Sequence, residues 1–176
     1  MSETELKIRV VGDPVLRKKA KKISRISSDH SDILSRMARL MYESKGIGLA
    51  APQVGLNQSM IVADIGNGLY KLINPKIVSK VGKQAMEEGC LSVPGIYLKI
   101  KRAKKVCLEA LDENGNPQKI EAQDLLACVF QHEIDHLEGK LIVDYMSLFK
   151  KFALKKKLEN LANEKLSQSE NKHSKL

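Results

Sequence analysis

His132, Glu133 and His136, in the run His132-Glu133-Ile134-Asp135-His136, are the residues of this chain best equipped for chemistry. On an α-helix of about 3.6 residues per turn, histidines four apart lie one above the other on a single face, where both imidazoles can reach one ion. Glu133 stands beside such an ion without having to ligate it, as a general base for a metal-activated water must. The predicted chemistry is metal-dependent hydrolysis. The bland alternative is a surface helix whose histidines only pack, or pair with Glu133 and Asp135.

A catalytic zinc or iron site needs a third protein ligand and one open position. The chain has three cysteines to offer. Cys128 lies one turn before His132 but eight residues from His136, about 12 Å along the axis at ~1.5 Å per residue, so all three cannot converge. It reads as a small apolar residue lining the same pocket. Cys107, in Val106-Cys107-Leu108, reads as strand filler. Cys90 sits in Glu87-Glu88-Gly89-Cys90-Leu91-Ser92, where Gly89 permits close backbone approach and Val93-Pro94-Gly95 reads as the strand's end; it is the best candidate. Its rival is Glu159, since some metallopeptidases use a distant downstream glutamate, although an ordinary surface ion pair suits a lysine-rich helix better.

Gly46-Ile47-Gly48-Leu49-Ala50-Ala51-Pro52-Gln53 fits the dinucleotide pattern at Gly46, Gly48 and Ala51, but it follows a helix rather than a strand, and Pro52 disfavours helical geometry at Ala51. The nucleotide reading fails. A segment with exposed backbone groups could instead run beside an extended peptide, with Gln53 as a side-chain donor.

The elements that must hold these residues follow from periodicity. Leu125, Leu126, Val129 and Leu137 give the HExxH segment an apolar stripe, with a start near Gln123 and a stop at Gly139. Glu5 to Val11 reads as a strand, Gly12-Asp13-Pro14 as a turn opening a short basic helix, and Ser31 to Lys45 as a helix stopped by Gly46. Strands are expected at 60–65, 70–73, 96–100 and 104–111, with a hairpin turn at Asn114-Gly115 and a partner strand at 117–122. From Ser147 onward Leu148, Phe152, Leu154, Leu158 and Leu161 outline an amphipathic helix with a lysine-rich opposite face. These expectations amount to an α+β class: short antiparallel sheets packed around a central HExxH helix, with a C-terminal amphipathic helix. One catalytic domain is expected over residues 1–166, and a disordered tail over 167–176.

The 176 residues, 43% of them apolar, suffice for one substantial core. No stretch approaches membrane-spanning length, and Ser2-Glu3-Thr4-Glu5 is unlike a secretory signal. The odd cysteine count argues for reduced thiols in a cytosolic setting. The net charge of +9 is uneven, with Lys18, Lys19, Lys21 and Lys22 early and Lys150, Lys151, Lys155, Lys156 and Lys157 late, so a polyanionic surface is a plausible neighbour.

Three motifs in order, Gly46 to Gln53, Glu88-Gly89-Cys90-Leu91-Ser92 and Gln131-His132-Glu133-Ile134-Asp135-His136, resemble GxGLAAxQ, EGCLS and QHExDH of the peptide deformylase family, without substitution at a fixed position. The resemblance covers nearly the whole chain. It implies removal of the formyl group from N-formylmethionyl nascent peptides, with release of formate. Cys90, His132 and His136 are implied as metal ligands, Glu133 as general base and acid while a metal-activated hydroxide attacks the formyl carbon, and Gln53 with the Leu91 amide as donors to the oxyanion. Ile47, Gly48 and Gly89 are implied to hold the substrate main chain, with Met86, Leu125, Cys128 and Val129 forming the methionine pocket. Glu88 is expected to brace the Cys90 strand through Arg102. Fe(II) is the implied metal in cells, with Zn(II), Ni(II) or Co(II) as replacements. A monomer is implied, in bacterial cytoplasm or a bacterium-derived organelle, with the basic C-terminal helix touching ribosomal RNA. Two other readings are a zinc endopeptidase ligated by Glu159 and a non-catalytic ribosome-binding or RNA-binding module that retains a structural metal.

Overall fold

The computed structural model describes residues 5–173, with side chains described through residue 163. Among the described residues three short 3-10 turns lie at Pro14–Arg17, Ala51–Val54 and Ile142–Tyr145. Helix α1 spans Ser28–Glu43, α2 Asp124–Leu137 and α3 Leu148–His173. The strands are β1 (Gly48–Ala50), β2 (Met60–Ala63), β3 (Tyr70–Val81), β4 (Gln84–Cys90), β5 (Val93–Arg102), β6 (Lys105–Leu111) and β7 (Pro117–Gln123). Five of them form an antiparallel sheet in the order β1-β2-β3-β6-β7, and β4 and β5 form a separate two-stranded one. This is the α+β arrangement expected.

β2 shows why the site helix is central. Its four residues are all buried, and period-2 alternation sends them to opposite sides. Ile61 and Ala63 join Ala127, Phe130 and Leu137 of α2, whereas Met60 and Val62 join Leu34, Met37 and Met41 of α1. A third cluster gathers Ile96, Leu98 and Ile100 of β5 with Leu141, Ile142 and Val143, and is covered by Leu154, Leu158 and Leu161 of α3. That helix seats closely: a Cβ on Gly12, whose φ is +103°, would lie 2.7 Å from Ala162 Cβ.

Several expectations need correction. Residues 5–11 form no strand, because the Arg9 and Val11 amides donate to different segments, at Gln53 O (2.6 Å) and Ser92 O (2.8 Å), and no ladder can build. α1 begins at Ser28, with the Ser27 amide donating to His30 Nδ1 at 3.1 Å. It ends at Glu43, two residues before the expected Lys45: Lys45 takes the left-handed position (φ 57°), and Gly46 N donates back to Met41 O at 2.9 Å. Gly139 terminates α2 as expected, at φ 73°. β3 is much longer than 70–73, and β1 and β4 were not delimited in the sequence. Val93-Pro94-Gly95 opens β5 rather than closing the strand before it. The apolar residues of α3 divide: Leu154, Leu158 and Leu161 face inward, whereas Leu148, Phe149 and Phe152 are 85%, 84% and 79% exposed. The α3 backbone stays helical past residue 166 to His173; residues 174–176 of the expected tail lie outside the described residues. Among the described residues no helix is long and apolar enough to cross a membrane.

Candidate metal centre

α2 brings His132 and His136 onto one face, with Nε2 atoms 3.2 Å apart. The third donor arrives from the small sheet. Its register slips between Glu88 and Cys90, so that Glu88 pairs with Leu98 but Cys90 pairs with Val93. The slip leaves residues 94–97 of β5 opposite Gly89 alone, and Cys90 Sγ lies 3.3 Å from His136 Nε2. One ligand atom from each of Cys90, His132 and His136 lies within 4.8 Å of the others.

The donors suit a divalent cation. Glu88 Oε2 accepts from His132 Nδ1 at 2.9 Å, and an ionised carboxylate can only accept, so Nδ1 carries a proton and Nε2 is the atom that faces the other donors. Burial, joined by the charges of His132 and Arg102, holds the His136 pKa well below the ordinary value and keeps that imidazole neutral. Burial alone would lower the His132 pKa too. Its hydrogen bonds to Cys90 and Glu88, together with the charge of Glu133, instead hold it up at about 10. The position thus attracts positive charge, and one thiolate with two imidazoles fits Zn(II) or Fe(II).

Glu133 is buried, and its Oε2 and His136 Nδ1 are among the few buried polar atoms without a protein partner. Burial, only partly countered by His132 and Arg102, pushes the Glu133 pKa up to about 7. Its carboxylate lies against Gly48, where a Cβ would collide with Oε1. Gln53 is also buried, and the Ala50 amide donates to its Oε1 at 2.8 Å. That bond directs Nε2 into the site, 3.6 Å from Cys90 Sγ and 3.2 Å from Ser92 Oγ.

A cleft of about 560 Å³ opens from the centre. Ile47 and Gly48 border it on one side and Gly89 on the other, with Met86, Leu125, Cys128, Val129 and Leu91 also in its lining. Every residue singled out for substrate or catalysis therefore meets in one place. Cys107 lies in β6, half-buried and outside the cleft lining, and Glu159 is a surface residue 3.8 Å from Lys155. The expected brace is present: Arg102 Nε and Nη2 donate to the two Glu88 oxygens at 2.8 and 2.9 Å.

Sequence reasoning missed Tyr97, whose ring edge would be 2.8 Å from a Cβ at Gly89, and gave no role to Ser92, Gln131, Asp135 or Tyr145. Gln131 locks α2 to the β5–β6 turn, accepting from Ala103 N and donating to Ala103 O, each at 3.0 Å. Its place on a buried helix face beside two histidines was the available signal, since a buried amide must find partners.

This fold and this site define a metal-dependent hydrolase whose cleft runs between two strand edges. The family model for polypeptide deformylase matches residues 5–152. A peptide deformylase of Caldanaerobacter subterraneus subsp. tengcongensis is 51% identical over 142 residues, spanning 81% of this chain and 89% of that protein. Among solved structures, a peptide deformylase from Legionella pneumophila has a TM-score of 0.85 at 40% identity, covering 92% of this chain and 97% of that one. A Synechococcus elongatus peptide deformylase in complex with actinonin has a TM-score of 0.82 at 42% identity, covering 89% and 90%. The chain belongs to the polypeptide deformylase family, metal-dependent hydrolases that remove the N-formyl group from nascent peptides.

Proposed function

We propose that residues 1–166 form one catalytic domain in which Cys90, His132 and His136 hold Fe(II) in cells, replaceable by Zn(II), Ni(II) or Co(II). The observation that carries this reading is the convergence of one sulfur and two imidazole nitrogens beside a buried, partnerless carboxylate. Held by those residues, such an ion would lower the pKa of water toward neutrality and act as a Lewis acid toward the formyl oxygen.

The chain's own groups divide the remaining work. Glu133, with a pKa of about 7, is poised to take a proton from the attacking water and pass it to the departing amine. Gln53 Nε2 and the Leu91 amide donate to the oxygen that gains negative charge at the formyl carbon. The substrate lies extended between β1 and β4, its main chain held by Ile47, Gly48 and Gly89. Both strands can accept it because each has an unpaired edge: β1 is the last strand of the large sheet, and β4 pairs only with β5. The methionine side chain enters among Met86, Leu125, Cys128 and Val129. Selectivity for formyl is steric, since a methyl in place of the acyl hydrogen would crowd the carboxylate above Gly48.

The partners are N-formylmethionyl nascent peptides, in bacterial cytoplasm or an organelle derived from bacteria. The protein acts as a monomer, with α3 as its ribosome contact. Protein prepared without oxygen and supplied with Fe(II) should release formate from formyl-Met-Ala-Ser and no acetate from acetyl-Met-Ala-Ser. Metal-loaded protein that released neither, yet cut internal peptide bonds, would move the assignment to an endopeptidase.

A further inference from the structure

Behind His132 a line of polar contacts runs outward to the turn that precedes α3. Glu88 takes His132 Nδ1 on Oε2 at 2.9 Å and the Arg102 fork on both oxygens. Arg102 Nη1 points the other way, donating to Asp135 Oδ2 at 2.6 Å and to the Tyr145 hydroxyl at 3.3 Å. The Tyr145 hydroxyl donates to that same Oδ2 at 2.6 Å, and the guanidinium carbon lies 5.1 Å from the centre of the Tyr145 ring.

One guanidinium is thus stretched between two carboxylates on different elements, Glu88 on β4 and Asp135 on α2. The Arg102 side chain is only 4% exposed, so water cannot replace a lost partner, and its orientation is set by whichever carboxylates stay in place. Glu88 is held from both sides and cannot wander. Asp135, at 18% exposed, is the end of the line open to solvent, and the Tyr145 hydroxyl and ring close that end. If Asp135 turned toward water, Arg102 would lose its second anchor and Glu88 would lose the fixed donor that aims Oε2 at His132.

We infer that Tyr145 is a positioning residue for the His132 imidazole, acting through Asp135, Arg102 and Glu88. This rests on reading His132 as a metal ligand. Removing a partner in direct contact with a ligand typically weakens metal binding about 10–100-fold, and Tyr145 acts further out, so about three- to tenfold is expected for Tyr145→Phe.

The test is Zn(II) affinity by competition with a chelator, joined to the absorption spectrum of the Co(II)-loaded protein and the melting temperature of the metal-free protein. Tyr145→Phe should weaken Zn(II) binding, shift the Co(II) bands and leave metal-free melting at the parent value. Asp135→Asn should do at least as much, and the double variant should lose less than the sum of the two single losses, because Tyr145 and Asp135 meet on the same Arg102 Nη1. Parent-like affinity and spectrum in Tyr145→Phe would overturn the inference, as would equal losses of stability with and without metal. Cys90→Ala, run alongside, tests the ligand reading separately: if it binds Zn(II) as tightly as the parent, the ligand set itself is wrong.

Discussion

Glu133 and Glu88 are two buried carboxylates with opposite environments, and each has a measurable signature. Glu133→Gln removes the proton carrier and no proposed ligand, so metal content should hold at one ion while formate release falls about 10²–10⁴-fold; retained activity would remove Glu133 from the chemistry. For Glu88, burial alone would raise the pKa, but hydrogen bonds from Arg102 and His132, with their charges, hold it at about 2 against an ordinary 4.5. Between those values the unfolded chain binds the proton and the folded one does not. The stabilisation is therefore complete above about pH 4.5 and disappears as pH falls toward 2. In urea titrations of metal-free protein, Glu88→Gln should flatten the fall of the midpoint across that window, and a slope equal to the parent's would contradict the assignment. Local sequence exposed much at this scale. Cys90 stood out from Cys107 and Cys128 by its neighbours alone, whereas the pairing of Glu88 with Arg102 was expected only beside the family resemblance. Asp135 and Tyr145 did not stand out, because an acid and a phenol ten residues apart acquire meaning only once Arg102 reaches them from another strand.

Elements were legible where periodicity was strong, as in α1 and α2, and obscure where a strand serves as a wall of the cleft. β1 is three residues long, too short to show alternation, and its Gly-Leu-Ala looks like a loop. It is a strand because Gly48, Leu49 and Ala50 pair with Ala63, Val62 and Ile61. Its position dictates Gly48, since the Glu133 carboxylate and Val129 Cγ1, 2.9 Å from a Cβ built there, leave no room for a side chain. Gly48→Ala should therefore push the carboxylate aside, lowering turnover at least about tenfold and stability by about 1–3 kcal/mol, with metal retained. Unchanged turnover on formyl-Met-Ala-Ser would mean that the carboxylate has slack the packing does not show.

Across the whole molecule, α3 is divided between two tasks. Its inward leucines cover the third core cluster, and Lys157 Nζ donates to Gly95 O at 2.7 Å, so that lysine is already occupied at the cleft's border. Outward, Leu148, Phe149 and Phe152 stand with Lys150, Lys155 and Lys156 as a mixed apolar and cationic surface. Phe149→Ser with Phe152→Ser should change stability by no more than about 0.5 kcal/mol and leave tripeptide deformylation intact, while co-sedimentation with ribosomes drops. A stability loss several times larger would show that these rings are packed rather than presented. The sequence reading put Phe152 on the buried stripe because helical spacing alone cannot say which of two apolar stripes the core takes.

The seat of Ala162 against Gly12 also sets an order in time. A growing chain presents residue 12 early, then makes Cys90, His132 and His136, and only afterwards residue 162. The donor set is thus complete before the seat can close, and the apolar ground under Leu158 and Leu161 stays wet until it does. During its own birth this protein passes through an interval, after acquiring its ion-binding residues and before making the helix that covers its last core, in which that apolar ground can stick to neighbours.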